Sequence, residues 1–158
     1  MNEFVGKKLG EILAFARVGT DTLEKGRPAL VAALSEETVV DMEEKNRMHG
    51  EEITRLATEG GVIDTTLAKA TATEEKLKKM RDLYVVDQWE NATELMEWSG
   101  FFEGAAIVHW ALMRGAAAGM DNEDLLALTE EGVNWHYERR EQSEGHLESI
   151  GTDKVSVE

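Results

Sequence analysis

The chain has 158 residues, one proline, no cysteine and a formal net charge of −15 at pH 7. That length suits one domain and is enough to bury a single sizeable core. The lack of cysteine excludes disulfides, thiolate metal sites and cysteine nucleophiles, and the charge argues against nucleic acid and anionic membranes, whose phosphates it would repel.

Charges of both signs interleave along every segment rather than forming one block. This reads as a solvated acidic shell suited to a salty cytoplasm, with an acidic surface for a basic protein partner as the alternative. The longest uncharged run, Gly104 to Met113, is too short to span a bilayer. The opening residues MNEFVGKKLGE read as an amphipathic helix and not as a secretory signal. The expectation is a soluble, cytoplasmic protein.

In chain order, Val5, Leu9, Ile12, Ala16, Gly19, Leu23, Gly26, Leu30 and Leu34 recur at three-or-four spacing. That predicts one helix from about Glu3 to Leu34, which Pro28 kinks or divides near Gly26. Ser35 is placed to cap the next helix, with Glu36 and Glu37 in its first turn. Its inward stripe runs through Val39, Met42 or Glu43, Asn46, Gly50, Ile53 and Ala57 to a stop at Gly60–Gly61. The segment VIDTTLAKATAT lacks helical periodicity, and a shorter helix is expected from about Thr73 to Val86. A third long helix spans about Thr93 to Gly119. Asp121 or Asn122 caps a fourth that runs to about Ile150, leaving residues 151–158 as a frayed tail.

Hairpin, long connection, hairpin is the resulting order. It predicts an all-α fold: an up-down-down-up four-helix bundle of two antiparallel helical hairpins, with a long crossover carrying a short extra helix. Residues 1–150 form a single domain.

Several polar residues fall on inward stripes at mid-height: Glu43, Asn46, His49, His109, His136 and Arg140. Two readings stand side by side. Neutral imidazoles of His49, His109 and His136 with the Glu43 carboxylate would suit one ion of iron, zinc or manganese, Asn46 and Arg140 lining a pocket for a ligand. Alternatively the cluster is a structural network, because a guanidinium repels a divalent cation and Arg140 is the natural ion-pair partner of Glu43. Gly19, level with Gly50, marks either a close helix crossing or room for a ligand beside Asn46 and His49. Trp110 and Trp135 lie on the flanks of the last two helices. They are either covered by the crossover or exposed as a homodimer surface.

The layout resembles the ferritin-like superfamily, including rubrerythrin-type proteins, over residues 3 to 150. That family's signature is one glutamate from each of two helices plus Glu-x-x-His from each of the other two. His49 and His136 fall where the motif histidines would stand, but the residues three before them are Asn46 and Val133, and no Glu-x-x-His occurs in the chain. Glu11 and Glu103, at the edges of their stripes, are the nearest candidates for the single glutamates. The resemblance implies oxygen or peroxide chemistry at a site reduced to one metal. The damage-inducible, histidine-triad bundle is a fainter match, with Arg140 standing where it would have a histidine.

The two functional classes are therefore a metal or small-ligand site inside the bundle, and a non-catalytic homodimer or adaptor. No nucleophile elbow, phosphate-binding glycine loop or basic patch supports a serine hydrolase, a nucleotide-binding protein or a nucleic-acid binder.

Overall fold

The computed structural model describes residues 1–156. Among them are six helices and no strand: α1 Glu3–Lys25, α2 Arg27–Leu34, α3 Glu36–Glu59, α4 Ile63–Val85, α5 Ala92–Gly119 and α6 Glu123–Val155. The all-helical class and the long helices agree with the periodicity. Two boundaries do not.

Of the two outcomes expected of Pro28, the first long helix shows the division near Gly26. The chain leaves helical geometry at Gly26, between α1 and α2, and Pro28 sits in the first turn of α2, where its missing N–H costs nothing. Gly26 N–H still closes on the Thr22 carbonyl at 2.9 Å, and Leu30 N–H reopens the ladder on the Gly26 carbonyl at 3.0 Å. Ser35 caps α3 as expected, its hydroxyl accepting from Thr38 N–H at 3.1 Å.

The connection between the hairpins is also more regular than its pattern suggested, since α4 is a single helix from Ile63 to Val85. Its buried face runs Thr66, Ala70, Leu77, Arg81 and Val85. The spacing is helical, but the residues are too polar or too small for hydrophobicity to reveal it. Thr66 donates its hydroxyl to the Gly6 carbonyl at 3.0 Å, which satisfies the buried oxygen across the contact. A Cβ at Gly10 would lie 2.5 Å from the Thr66 carbonyl oxygen, so only glycine permits this approach of two backbones.

At the far end, α6 continues past Ile150 to Val155, so residues 151–155 are helical and not frayed. Residues 157 and 158 of the expected tail lie outside the described residues. Asn122 caps α6, its Oδ1 accepting from Leu125 N–H at 2.9 Å.

Helix α1 is the hub. Every residue from Leu9 to Ala16 is buried, because α3, α4 and α5 pack around it. Contacts fix the directions. Gly19 meets Asn46 and Leu13 meets Gly50, so α1 and α3 are antiparallel. Glu11 pairs with His109 while Phe15 packs on Phe102, so α5 is antiparallel to α1 as well. Contacts of Gly6 with Thr65, Arg17 with Glu74 and Asp21 with Arg81 make α4 parallel to α1. Helices α5 and α6 form a second antiparallel hairpin, sealed by Trp110 against Gly132.

Candidate functional site

His49 and His136 are buried where periodicity put them, but His109 sits at the edge of its stripe with its side chain 35% exposed, and each histidine has a partner of its own. His49 on α3 is 2% exposed, and its Nε2–H donates to Glu131 Oε2 on α6 at 2.6 Å. The other oxygen of Glu131 accepts from Lys45 Nζ at 2.6 Å. His136 on α6 donates from Nδ1 to Glu103 on α5, with both residues buried. His109 on α5 donates from Nδ1 to Glu11 Oε2 on α1 at 2.9 Å. Since an ionised carboxylate can only accept, these bonds fix which imidazole nitrogen carries the proton in each pair.

Three imidazole–carboxylate pairs thus run from α3 to α6, from α6 to α5 and from α5 to α1. The first two sit in an aromatic box. The His49 ring lies 4.8 Å from Trp110 and 5.4 Å from Trp135, and 6.2 Å from the ring of His136. The third is apart from them: His109 is 5.2 Å from Phe15 and partly open to solvent.

Electrostatics follow from these contacts. Burial alone would raise the Glu131 carboxyl, but hydrogen bonds from His49 and Lys45, and their charges, outweigh it and hold Glu131 down to about 2. Burial likewise pushes Glu11 up, while bonds from Lys8 and His109 prevail and keep it below the usual carboxylate range. Lys8 Nζ reaches both oxygens of Glu11 at 2.9 Å, and Lys69 of α4 approaches to 3.4 Å.

The rest of the expected cluster is dispersed. Glu43 is neither inward nor paired with Arg140; the break at Gly26 swings Arg27 over α3, and its guanidinium bridges Glu43 and Glu36. Arg140 points outward, 3.1 Å from Glu144 and stacked 5.2 Å from the Tyr137 ring. Asn46 is buried as expected, but against Gly19, where it borders a cavity of about 40 Å³ shared with Glu103, Ser99 and Ser143. Trp110 is fully buried against α3 and α6, not beneath the crossover, so it has no surface to offer a second copy. Trp135 is only partly exposed and faces the same box.

Sequence reasoning missed Glu131, Lys45 and Arg81. Lys45 is four residues before His49 and so shares its helix face, the one signal that could have found it. Arg81 gave none. It is 0% exposed, donates to Asp21 at 2.6 Å and Thr22 at 3.0 Å, and lies 5.0 Å from the Trp89 ring.

Among the described residues, no three His, Asp or Glu side chains are grouped to hold one metal ion. The ferritin-like ligand set does not fit here. Asn46 and Val133 stand three before His49 and His136, α1 presents Gly19 to Asn46, and each imidazole is engaged by a separate carboxylate. No described helix is long and apolar enough to cross a membrane. No family model, curated protein or solved structure matches the chain.

Proposed function

We propose that this chain is a non-catalytic, acidic helical protein that works by associating with other polypeptides, and that its carboxylate-paired histidines are ties between helices. The observation that carries this reading is that His49, His109 and His136 each donate to a different carboxylate on a different helix. A charged or polar group taken from water costs several kcal/mol unless paired. Each tie therefore penalises any register that separates its two partners, which selects one packing among those a loosely apolar interface would tolerate. The reading includes the topology: α1, α3, α5 and α6 form an up-down-down-up four-helix bundle, with α4 as a helical crossover parallel to α1. It also includes a soluble, cytoplasmic setting, consistent with a cysteine-free, strongly acidic chain.

The cavity beside Asn46 and Glu103 favours a second reading, a ligand-holding relative of the ferritin-like bundles. At about 40 Å³ it has room for roughly three or four waters or one very small molecule, by the size of one probe sphere per water.

Elemental analysis decides between them. The full chain, purified without chelator or histidine tag and reconstituted with iron, zinc or manganese, is measured beside the His109→Ala, His136→Ala double variant. The structural reading expects well under one metal per chain in both, with the variant only less stable. Near-stoichiometric metal that the variant loses overturns it.

A further inference from the structure

We infer that the cavity beside Asn46 is a binding site for one small, neutral primary amide; the site leaves the histidine ties as they are and needs neither a metal nor a partner chain, so it goes beyond both readings above. The polar groups lining this cavity are not all satisfied. Asn46 is 5% exposed, yet its amide makes no hydrogen bond to a described residue and lies against Gly19, which also lines the cavity. Glu103 is as deeply buried; it gives one oxygen to His136 and has no protein partner for the other. Arg139 makes no ion pair among the described residues, and its Nε is buried without a partner. Ser99 and Ser143 donate their hydrogens to carbonyls of their own helices, Leu95 at 2.8 Å and Arg139 at 3.2 Å, which leaves both oxygens free to accept. A buried polar group without a partner is costly and rare. Here several of them line one space of about 40 Å³.

The chemistry of the lining selects the guest. Glu103 and Arg139 bring one charge of each sign, so the cavity favours a neutral molecule over an ion. Its acceptors are the free oxygen of Glu103, the amide oxygen of Asn46 and the two serine oxygens, which call for a guest with N–H donors. Its donors are the Asn46 Nδ2 hydrogens and the Arg139 Nε–H, which call for a carbonyl. A primary carboxamide carries both on adjacent atoms of one planar group. Size narrows the class further. The space takes roughly three or four water-sized groups, which is the size of acetamide. Much of the remaining lining is apolar, including Leu30 and Leu34 of α2, Met42 of α3 and Phe102 of α5, and it suits the methyl end. Water also satisfies buried polar groups. One molecule that makes the same bonds releases several waters at once, each of them held at a cost in entropy. Trp135, Arg139 and Gln142, all half-buried on α6, mark where the cavity reaches the surface.

Nuclear magnetic resonance of the isotope-labelled full chain tests the assignment, with acetamide as the probe and acetate as its charged isostere. Acetamide is expected to shift the Asn46 side-chain and Gly19 amide resonances along a saturating curve, with a dissociation constant of roughly 1–10 millimolar, as so few atoms allow. Acetate has the same shape but no N–H, and is expected to bind about tenfold more weakly or not at all. Asn46→Leu removes the amide at nearly constant volume and is expected to weaken acetamide about tenfold or more, read at Gly19. Should that variant fold poorly, Arg139→Met at its half-buried position keeps the stem and loses the Nε–H, and several-fold weaker binding is expected of it. A cavity that holds water only gives shifts that rise in proportion to acetamide, without saturating up to about tenfold above that constant. That result overturns the inference. So do acetate binding as tightly as acetamide, and variants that bind like the wild type. None of these outcomes bears on metal content or on association, so the readings above stand or fall separately.

Discussion

Trp110 lies flat on the backbone of Gly132: a Cβ there would come within 2.3 Å of the indole Cε3 atom. Trp110 is fully buried between α3 and α6, so the ring has nowhere to withdraw. Gly132→Ala should therefore destabilise the protein by about 2–3 kcal/mol, as overpacking in a filled core does. Gly145, also inside α6, has open space around it, and Gly145→Ala should stabilise by about 0.5–1 kcal/mol through helix propensity. Urea unfolding of the two variants checks both signs. Equal effects would mean that the indole does not seal this contact.

Arg81 fastens α4 to α1. Its guanidinium is buried, bonded to Asp21 and Thr22 and stacked on Trp89. Arg81→Ala leaves Asp21 only the longer pairs with Lys25 and Lys78, each at 3.6 Å, and empties a buried site, so it should cost about 3 kcal/mol, the lower end for breaking such a pair given that Asp21 is partly exposed. Arg81→Lys should recover little, because an ammonium cannot bond both oxygens and stack on the ring together. Thermal unfolding of the two variants separates charge from geometry; full recovery by lysine would show that charge alone matters.

The long helices were readable in the sequence because their buried faces are apolar at helical spacing, as in Leu9, Ile12 and Ala16 on α1. Of α4 only the second half was readable, from about Thr73 to Val86; its first half buries Thr66 and Ala70, and a threonine that bonds a carbonyl across a glycine contact looks like a loop residue. That omission propagated into the site. With the first half of α4 unseen, Glu11 stood at the edge of its stripe with no lysine in view, whereas Lys69 of α4 approaches it to 3.4 Å. The inward direction of His49 and His136 was legible from periodicity alone, whereas His109 lies at the edge of its stripe and is partly open to solvent. Their partners were not, because a long carboxylate such as Glu131 reaches inward from a flank, and periodicity fixes where a Cα lies but not where its side chain ends.

Acid should loosen the ties in a defined order of pH. With its folded-state carboxyl held down to about 2 against an ordinary 4.5, Glu131 binds its proton more readily when unfolded. Its contribution to stability is therefore complete above about pH 4.5 and is lost as pH falls toward 2. Glu11 and Asp21, also held below their ordinary values, act in the same direction. Because Glu131 is two-fifths exposed, solvent screening limits its share to about 1 kcal/mol. Glu131→Gln should lower stability by that amount at pH 7 and flatten its decline between pH 4.5 and 2. A decline of unchanged steepness in the variant would assign the acid sensitivity elsewhere.

The account rests on the pairs being ties, and Glu103 with His136 is the most buried of them. A double-mutant cycle with Glu103→Ala, His136→Ala and the combined variant, followed by urea unfolding at pH 7, measures that directly. Each single change leaves a buried partner alone and should cost about 3–5 kcal/mol, while the double variant should recover about 2–3 kcal/mol of the sum as coupling. Additive losses with no coupling would contradict the account, since the two side chains would then be independent core residues that happen to touch.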